Sequence, residues 1–108
     1  MNDTGVVMVH TTCNSQAAAH ALAGRLVTER LAACASVGSP VESIYPWEGR
    51  IEQEPEVPLT LKTTAARLPA LTDRLVELHD YEVPEVLAVP VVSGHAPYLE
   101  WLREWVNG

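Results

Sequence analysis

The stretch 41-VESIYPWEGRIEQEPEVPLTLKTT-64 decides the fold. Two arms rich in β-branched and aromatic residues flank the turn-like Trp47-Glu48-Gly49-Arg50, and the second arm alternates Val57, Leu59, Leu61 and Thr63 against Pro58, Thr60 and Lys62. That is the period of a half-buried strand, and the whole reads as a β-hairpin. Extended, the arm from Arg50 to Thr64 spans roughly 50 Å at ~3.3 Å per residue. A compact domain of about 100 residues has a radius of gyration of only ~13 Å, so the hairpin is expected to overhang its own domain. Ile44, Tyr45, Trp47 and Ile51 lie in the overhanging part, and apolar groups of that size call for a partner surface, here a homo-oligomer. Pro55 and Pro58 lack ladder donors, so the arm is expected to break into two strands at an irregular joint, one pairing outside the subunit.

The remainder of the 108 residues reads as one domain, 1–108, with an aliphatic core: there is no Phe, and bulk comes from three Trp and three Tyr. A formal charge of -7 with only seven Lys and Arg argues against a nucleic-acid partner, since no basic cluster exists to displace counterions. No apolar run approaches the ~20 residues that span a bilayer, and no basic-then-apolar leader opens the chain, so the expectation is a cytoplasmic protein without a membrane partner. Cys13 and Cys34 are expected to stay reduced there.

Outward from the hairpin, Val6-Val7-Met8-Val9 suits a central strand that ends at Thr11-Thr12-Cys13. Asn14 or Ser15 caps a helix to about Leu31 with Ala18, Leu22 and Leu26 inward, and Ala33 to Val37 resumes as a strand. A second helix starts near Pro69 and turns Leu68, Leu71, Leu75 and Leu78 inward, stopping at His79-Asp80. Glu85 to Val92 is the last strand, with Pro90 implying an edge position or a bulge. Pro97 opens a third helix with Tyr98, Trp101, Leu102 and Trp105 along one face. The order β-α-β-β-α-β-α is the split βαβ pattern of an α+β, ferredoxin-like fold, whose second and third strands form the long hairpin. In that topology the exit of the first strand with Cys13, the hairpin tip with Trp47, and the exit of the second helix with His79, Tyr81 and Glu82 meet at one end.

With those segments in place, the chain resembles the CutA family of divalent-cation tolerance proteins. The matching stretches are Thr11-Thr12-Cys13, Glu29 to Cys34, Ser43-Ile44-Tyr45 with Trp47-Glu48-Gly49, Leu61 to Thr64, Tyr81 to Glu85, and Tyr98 to Leu102. The likeness implies a homotrimer with the hairpin shared between neighbours, and Tyr45, Trp47, Ile51, Tyr81 and Pro84 as interface residues. It also implies a non-enzymatic role in tolerance of copper and other divalent cations, with metal ions and copies of itself as partners and no organic cofactor. Carried over position by position, Cys13 and His79 match the family's metal positions, Leu78 stands where a second His is found, and Asp80 replaces a Pro.

A thiol and an imidazole suit copper or zinc, and Glu82 would add an oxygen donor. The alternative is a Cys closing a strand beside a His at a helix C-terminus. Other residues read as structural: His10, His20 and His95 share no ligand spacing, Cys34 reads as a core thiol, and Glu48, Glu52, Glu54 and Glu56 read as a solvated strand face. Two other classes stay open. One is a signalling trimer like the nitrogen-regulatory PII proteins, binding a small effector between subunits. The other is a thiol enzyme using Cys13 with His79.

Overall fold

A computed structural model describes residues 4–108, in the element order β1 (Val6–Cys13), α1 (Gln16–Thr28), β2 (Cys34–Val37), β3 (Val41–Trp47), β4 (Arg50–Thr64), α2 (Leu68–Leu78), β5 (Leu87–Val91) and α3 (Ala96–Asn107). The fold is α+β: an antiparallel sheet ordered β2-β4-β1-β5, with β3 continuing the β2 side of β4. Alternation along the strands separates two faces. Val7, Val9, Cys13, Val57, Leu59 and Leu61 turn to α1 and α2, which bury Leu22, Leu26, Leu71 and Leu75 against them. On the opposite face α3 covers only one end, where Val6 and Ala33 meet Leu99, Leu102 and Val106.

Local chemistry explains where the elements stop. Ser15 caps α1, its hydroxyl accepting from the Ala18 N–H at 3.0 Å. α1 ends at Thr28 rather than near Leu31 because Arg30 takes a left-handed φ of 61°. The Arg30 guanidinium then lies 3.8 Å over the Trp105 ring and donates to the Trp105 carbonyl, tying α3 to the α1 exit. The inward stripe of α3 is therefore Leu99, Leu102 and Val106; Tyr98 and Trp101, expected on that face, are exposed. Pro90 sits in β5, which forms a sheet edge, as its missing donor implied. Cys34 is half-buried on the face away from α1 and α2, opposite Lys62, rather than in the core.

β4 does not break at its prolines. It runs unbroken for 15 residues, and the irregular joint lies in the facing arm, between β2 and β3. The Gly38 N–H donates to the Pro58 carbonyl at 2.9 Å, so the backbone of Pro58 faces that joint. In an antiparallel strand successive residues address opposite neighbours. Residues 51, 53 and 55 of β4 therefore address the other side, where β1 has already ended at the Cys13 to Val57 rung. By the same alternation through β1, Ala88 and Pro90 address the outer side of β5. Pro55 and Pro90 thus fall where no described strand of the subunit asks for a ladder bond, while Pro58 takes part in its rung as an acceptor.

Every β3 to β4 rung, from Val41–Glu56 to Trp47–Arg50, lies past the last β1 rung, an overhang of about 20 Å. It stretches the molecule to 45 × 28 × 23 Å. The two-residue tip is left-handed throughout, with φ 48° at Glu48 and 78° at Gly49, the signature of a type I′ turn. Asn suits the first of those positions better than Glu does. Glu48→Asn is expected to stabilise the protein by about 0.5–1 kcal/mol, and Glu48→Val to destabilise it by about as much; urea unfolding at fixed protein concentration reads both.

Candidate functional site

Two cavities occupy the end of the molecule where β1, the hairpin and the α2 exit converge. On the helix side, Cys13 closes β1 with its side chain turned inward, 2% exposed. It shares with Asn14, Ala18, Leu22, Leu78, His79 and Asp80 a cavity of about 20 Å³, room for about one water molecule. Burial, then the negative charges of Asp80 and Glu56, push the Cys13 thiol up to about 11. The sulfur is a neutral thiol at physiological pH.

His79 caps α2 and points back onto β1. Its Nδ1 lies 3.0 Å from the Tyr81 backbone N–H, which can only donate, so Nδ1 carries the lone pair. Nε2 therefore carries the proton and donates to the Thr12 carbonyl at 2.8 Å, with the Thr11 hydroxyl 3.4 Å away. Tyr81 packs its ring on the imidazole at 4.8 Å. Both ring nitrogens are spoken for within the chain.

On the other side of the sheet a cleft of about 890 Å³ opens between the hairpin and the segment after α2. β3 supplies Ser43, Ile44, Tyr45 and Trp47, and the segment supplies Asp80, Tyr81, Glu82, Val83 and Glu85. Thr12 and Glu56 form the floor. Glu56, expected on a solvated face, is only 8% exposed; its Oε2 accepts from the Tyr81 hydroxyl at 2.6 Å. Burial and that carboxylate raise the Tyr81 phenol well beyond its ordinary range. Tyr45 is raised too, by desolvation and then by Glu54, Glu56 and Glu52. Spacing alone marked Glu56 as one of an alternating acidic set; its burial comes from Tyr81, which only the three-dimensional path of the α2 exit brings over it.

The structure thus brings Cys13 and His79 to one small cavity and places Glu82, exposed, on the other. No group of three or more His, Cys, Asp or Glu among the described residues is arranged to hold a metal ion. A neutral thiol beside an imidazole with both nitrogens engaged does not, as arranged, fit a copper ion, nor is it an activated thiol–imidazole pair. Of the expected interface residues, Trp47 is 44% and Ile51 73% exposed, Tyr45 and Pro84 are half-buried, and Tyr81 is held by Glu56 and His79.

Comparison with known proteins agrees with the fold. The family model described as CutA1 divalent ion tolerance protein matches residues 7–105. The chain is 44% identical over 93 residues to "Protein CutA" of Homo sapiens, covering 86% of this chain and 52% of that protein. It is 42% identical over 97 residues to the "Divalent-cation tolerance protein CutA" of Thermus thermophilus, covering 90% and 94% respectively. It spans about half the length of the human relative and nearly all of the bacterial one. Among solved structures, the crystal structure of CutA from Xylella fastidiosa superposes with a TM-score of 0.92 at 37% identity, over 94% of this chain and 98% of that one. No helix among the described residues is long and apolar enough to cross a membrane.

The raised Cys13 value has a definite sign. The folded state holds the proton more tightly than an unfolded thiol of about 8.5, so its contribution is complete below that pH and is lost as pH climbs towards 11. Against Cys13→Ala, the wild type is expected to lose about 2–3 kcal/mol more stability between pH 8 and 11. At pH 7.5, iodoacetamide is expected to label Cys34 before Cys13 in the folded protein; the reverse order would identify Cys13 as an activated thiol.

Proposed function

The chain belongs to the CutA1 divalent ion tolerance family, and on that premise we propose that it works as a non-enzymatic, cytoplasmic homotrimer of ferredoxin-like subunits whose hairpins are shared between neighbours. The observation that carries this reading is a pair of unlike edges that no described strand of the subunit covers. One is the side of β4 at residues 51, 53 and 55; the other is the outer side of β5. A strand edge with no partner is a template for another chain. Because the two edges differ, one copy's β4 joins the next copy's β5, a head-to-tail contact that closes into a ring rather than a two-fold pair. The exposed Trp47, Ile51, Val83, Leu87 and Val89 lie on the segments this contact would cover. Cysteines that lie unpaired support the cytoplasmic placement.

The response to divalent cations then rests on the assembled ring rather than on a ready-made copper centre. A copper site at Cys13, His79 and Glu82 is the second reading, favoured by the cavity that Cys13 and His79 share. It asks the thiol to give up a proton and the imidazole to leave Thr12 or Tyr81, and it asks Glu82 to cross from the other cleft. A PII-like trimer with an anionic effector is disfavoured by the larger cleft, whose lining includes Glu56, Asp80, Glu82 and Glu85 and no Lys or Arg.

Sedimentation equilibrium tests the assembly: the expected mass is about three times the 11.8 kDa chain, and Trp47→Ala combined with Ile51→Asp is expected to lower it towards one chain. A wild-type mass of one chain at micromolar concentration would overturn the ring. Calorimetric titration of Cu(II) tests the second reading: the ring-based account expects the same affinity in wild type and in Cys13→Ala/His79→Ala. A tenfold or greater loss in the double variant would instead place copper there.

A further inference from the structure

The run 29-ERLAA-33 reads as more helix, since Glu, Arg, Leu and Ala are among the best helix formers, yet α1 stops at Thr28. The stop has the bonding of a Schellman motif: the Arg30 N–H donates to the Val27 carbonyl and the Leu31 N–H to the Leu26 carbonyl, each at 3.0 Å. The residue that turns left-handed in that motif is usually Gly, and here it is Arg30, at φ 61°. A Cβ makes that conformation costly, and such a residue persists only where its surroundings hold it.

Those surroundings meet in one residue of α3. The Trp105 ring lies 3.8 Å under the Arg30 guanidinium, and the Trp105 carbonyl accepts from Arg30 Nη1 at 3.1 Å. The indole Nε1 of Trp105 donates to the Val27 carbonyl at 3.0 Å. In a longer helix that carbonyl would accept the Leu31 N–H instead. On either side of Arg30 the chain has anchors outside α3. Glu29 is held by Arg74 of α2 at 2.9 and 3.0 Å. Beyond Arg30, the Thr63 hydroxyl donates to the Leu31 carbonyl at 2.7 Å and the Ala33 N–H to the Lys62 carbonyl at 2.9 Å. The Arg30 backbone is the pivot between the two.

We propose that Arg30 and Trp105 form a latch that couples the docking of α3 to the length of α1. With α3 docked, Arg30 is held left-handed and α1 ends at Thr28. When α3 lifts, Arg30 turns right-handed, α1 winds on towards Leu31, and Ala33 leaves the Lys62 carbonyl. Glycine at position 30 would end the helix whether or not α3 is docked; arginine ends it only with α3 in place. The turn between α1 and β2 thereby senses whether α3 covers Val6 and Ala33 on the far face of the sheet. All of these residues belong to one chain, so the latch stands whether or not the trimer proposed above forms.

Residue-resolved amide hydrogen exchange of the full chain tests the latch in wild type, Trp105→Ala, Arg30→Ala and Arg30→Gly. Leu102 and Val106 report on α3, Ala33 on the turn, and Val9 and Leu61 on the sheet. Trp105→Ala and Arg30→Ala are expected to speed α3 and Ala33 together, each about tenfold or more, with the sheet amides unchanged. Arg30→Gly is expected to speed α3 likewise but to leave Ala33 within about twofold of wild type, because glycine keeps the left-handed turn without the clamp. Should Trp105→Ala also speed the sheet amides, Trp105→Phe takes its place: it keeps a ring under the guanidinium and removes the indole donor, and the same joint acceleration of α3 and Ala33 is expected. Ala33 unmoved when α3 loosens, or accelerated as much by Arg30→Gly as by Arg30→Ala, would overturn the latch.

Discussion

Backbone hydrogen bonding along β4 is the constraint on which the rest depends. A strand of 15 residues offers a donor or acceptor set to each side in turn, and β1 and β2 flank it together only from Leu59 to Lys62. Beyond Val57 it has β3 on one side and, among the described residues, no strand on the other. The core under the helices anchors the satisfied half, with Leu59 and Leu61 fully buried. The other half extends past the core as a hairpin with β3, closed at its tip by the Glu48-Gly49 turn. Everything functional at that end, the cleft, the exposed Trp47 and the unpaired edge, follows from a ladder that the chain does not complete by itself.

The prolines show how such an edge is kept specific. Pro55 addresses the free side of β4, and Pro90 the free side of β5. Each edge therefore lacks one donor, which shortens the set of registers in which another strand can pair. An unrestricted edge invites indefinite growth; a short and interrupted one favours a single closed contact.

Much of this was legible from residue order alone. The alternation Val57, Leu59, Leu61 marked the buried face of β4, and Leu71 and Leu75 of α2 fall where their spacing put them. The convergence of Cys13, His79 and the hairpin followed from topology. What local pattern does not encode is long-range pairing. Pro58 suggested a break in β4 because a missing donor is visible in the sequence, whereas the gap it faces, at Gly38, belongs to another strand. Trp101 was expected on the inward face with Tyr98, Leu102 and Trp105, but α3 turns Leu99, Leu102 and Val106 inward while Trp105 packs beneath the Arg30 guanidinium. Glu56 looked like a surface acid until Tyr81 closed over it, and the engagement of both His79 nitrogens depends on a turn two residues long that leaves no periodic trace.

The central claim is that the free side of β4 finds its hydrogen bonds in a second copy, and amide hydrogen exchange at Ile51 and Gln53 tests it most directly. Both N–H groups address the open side and have no ladder partner among the described residues. At concentrations where the protein is assembled, the account predicts exchange slowed by about a hundredfold or more relative to an exposed amide, with the protection lost on dilution. Exchange at the rate of exposed amides under assembled conditions would contradict it.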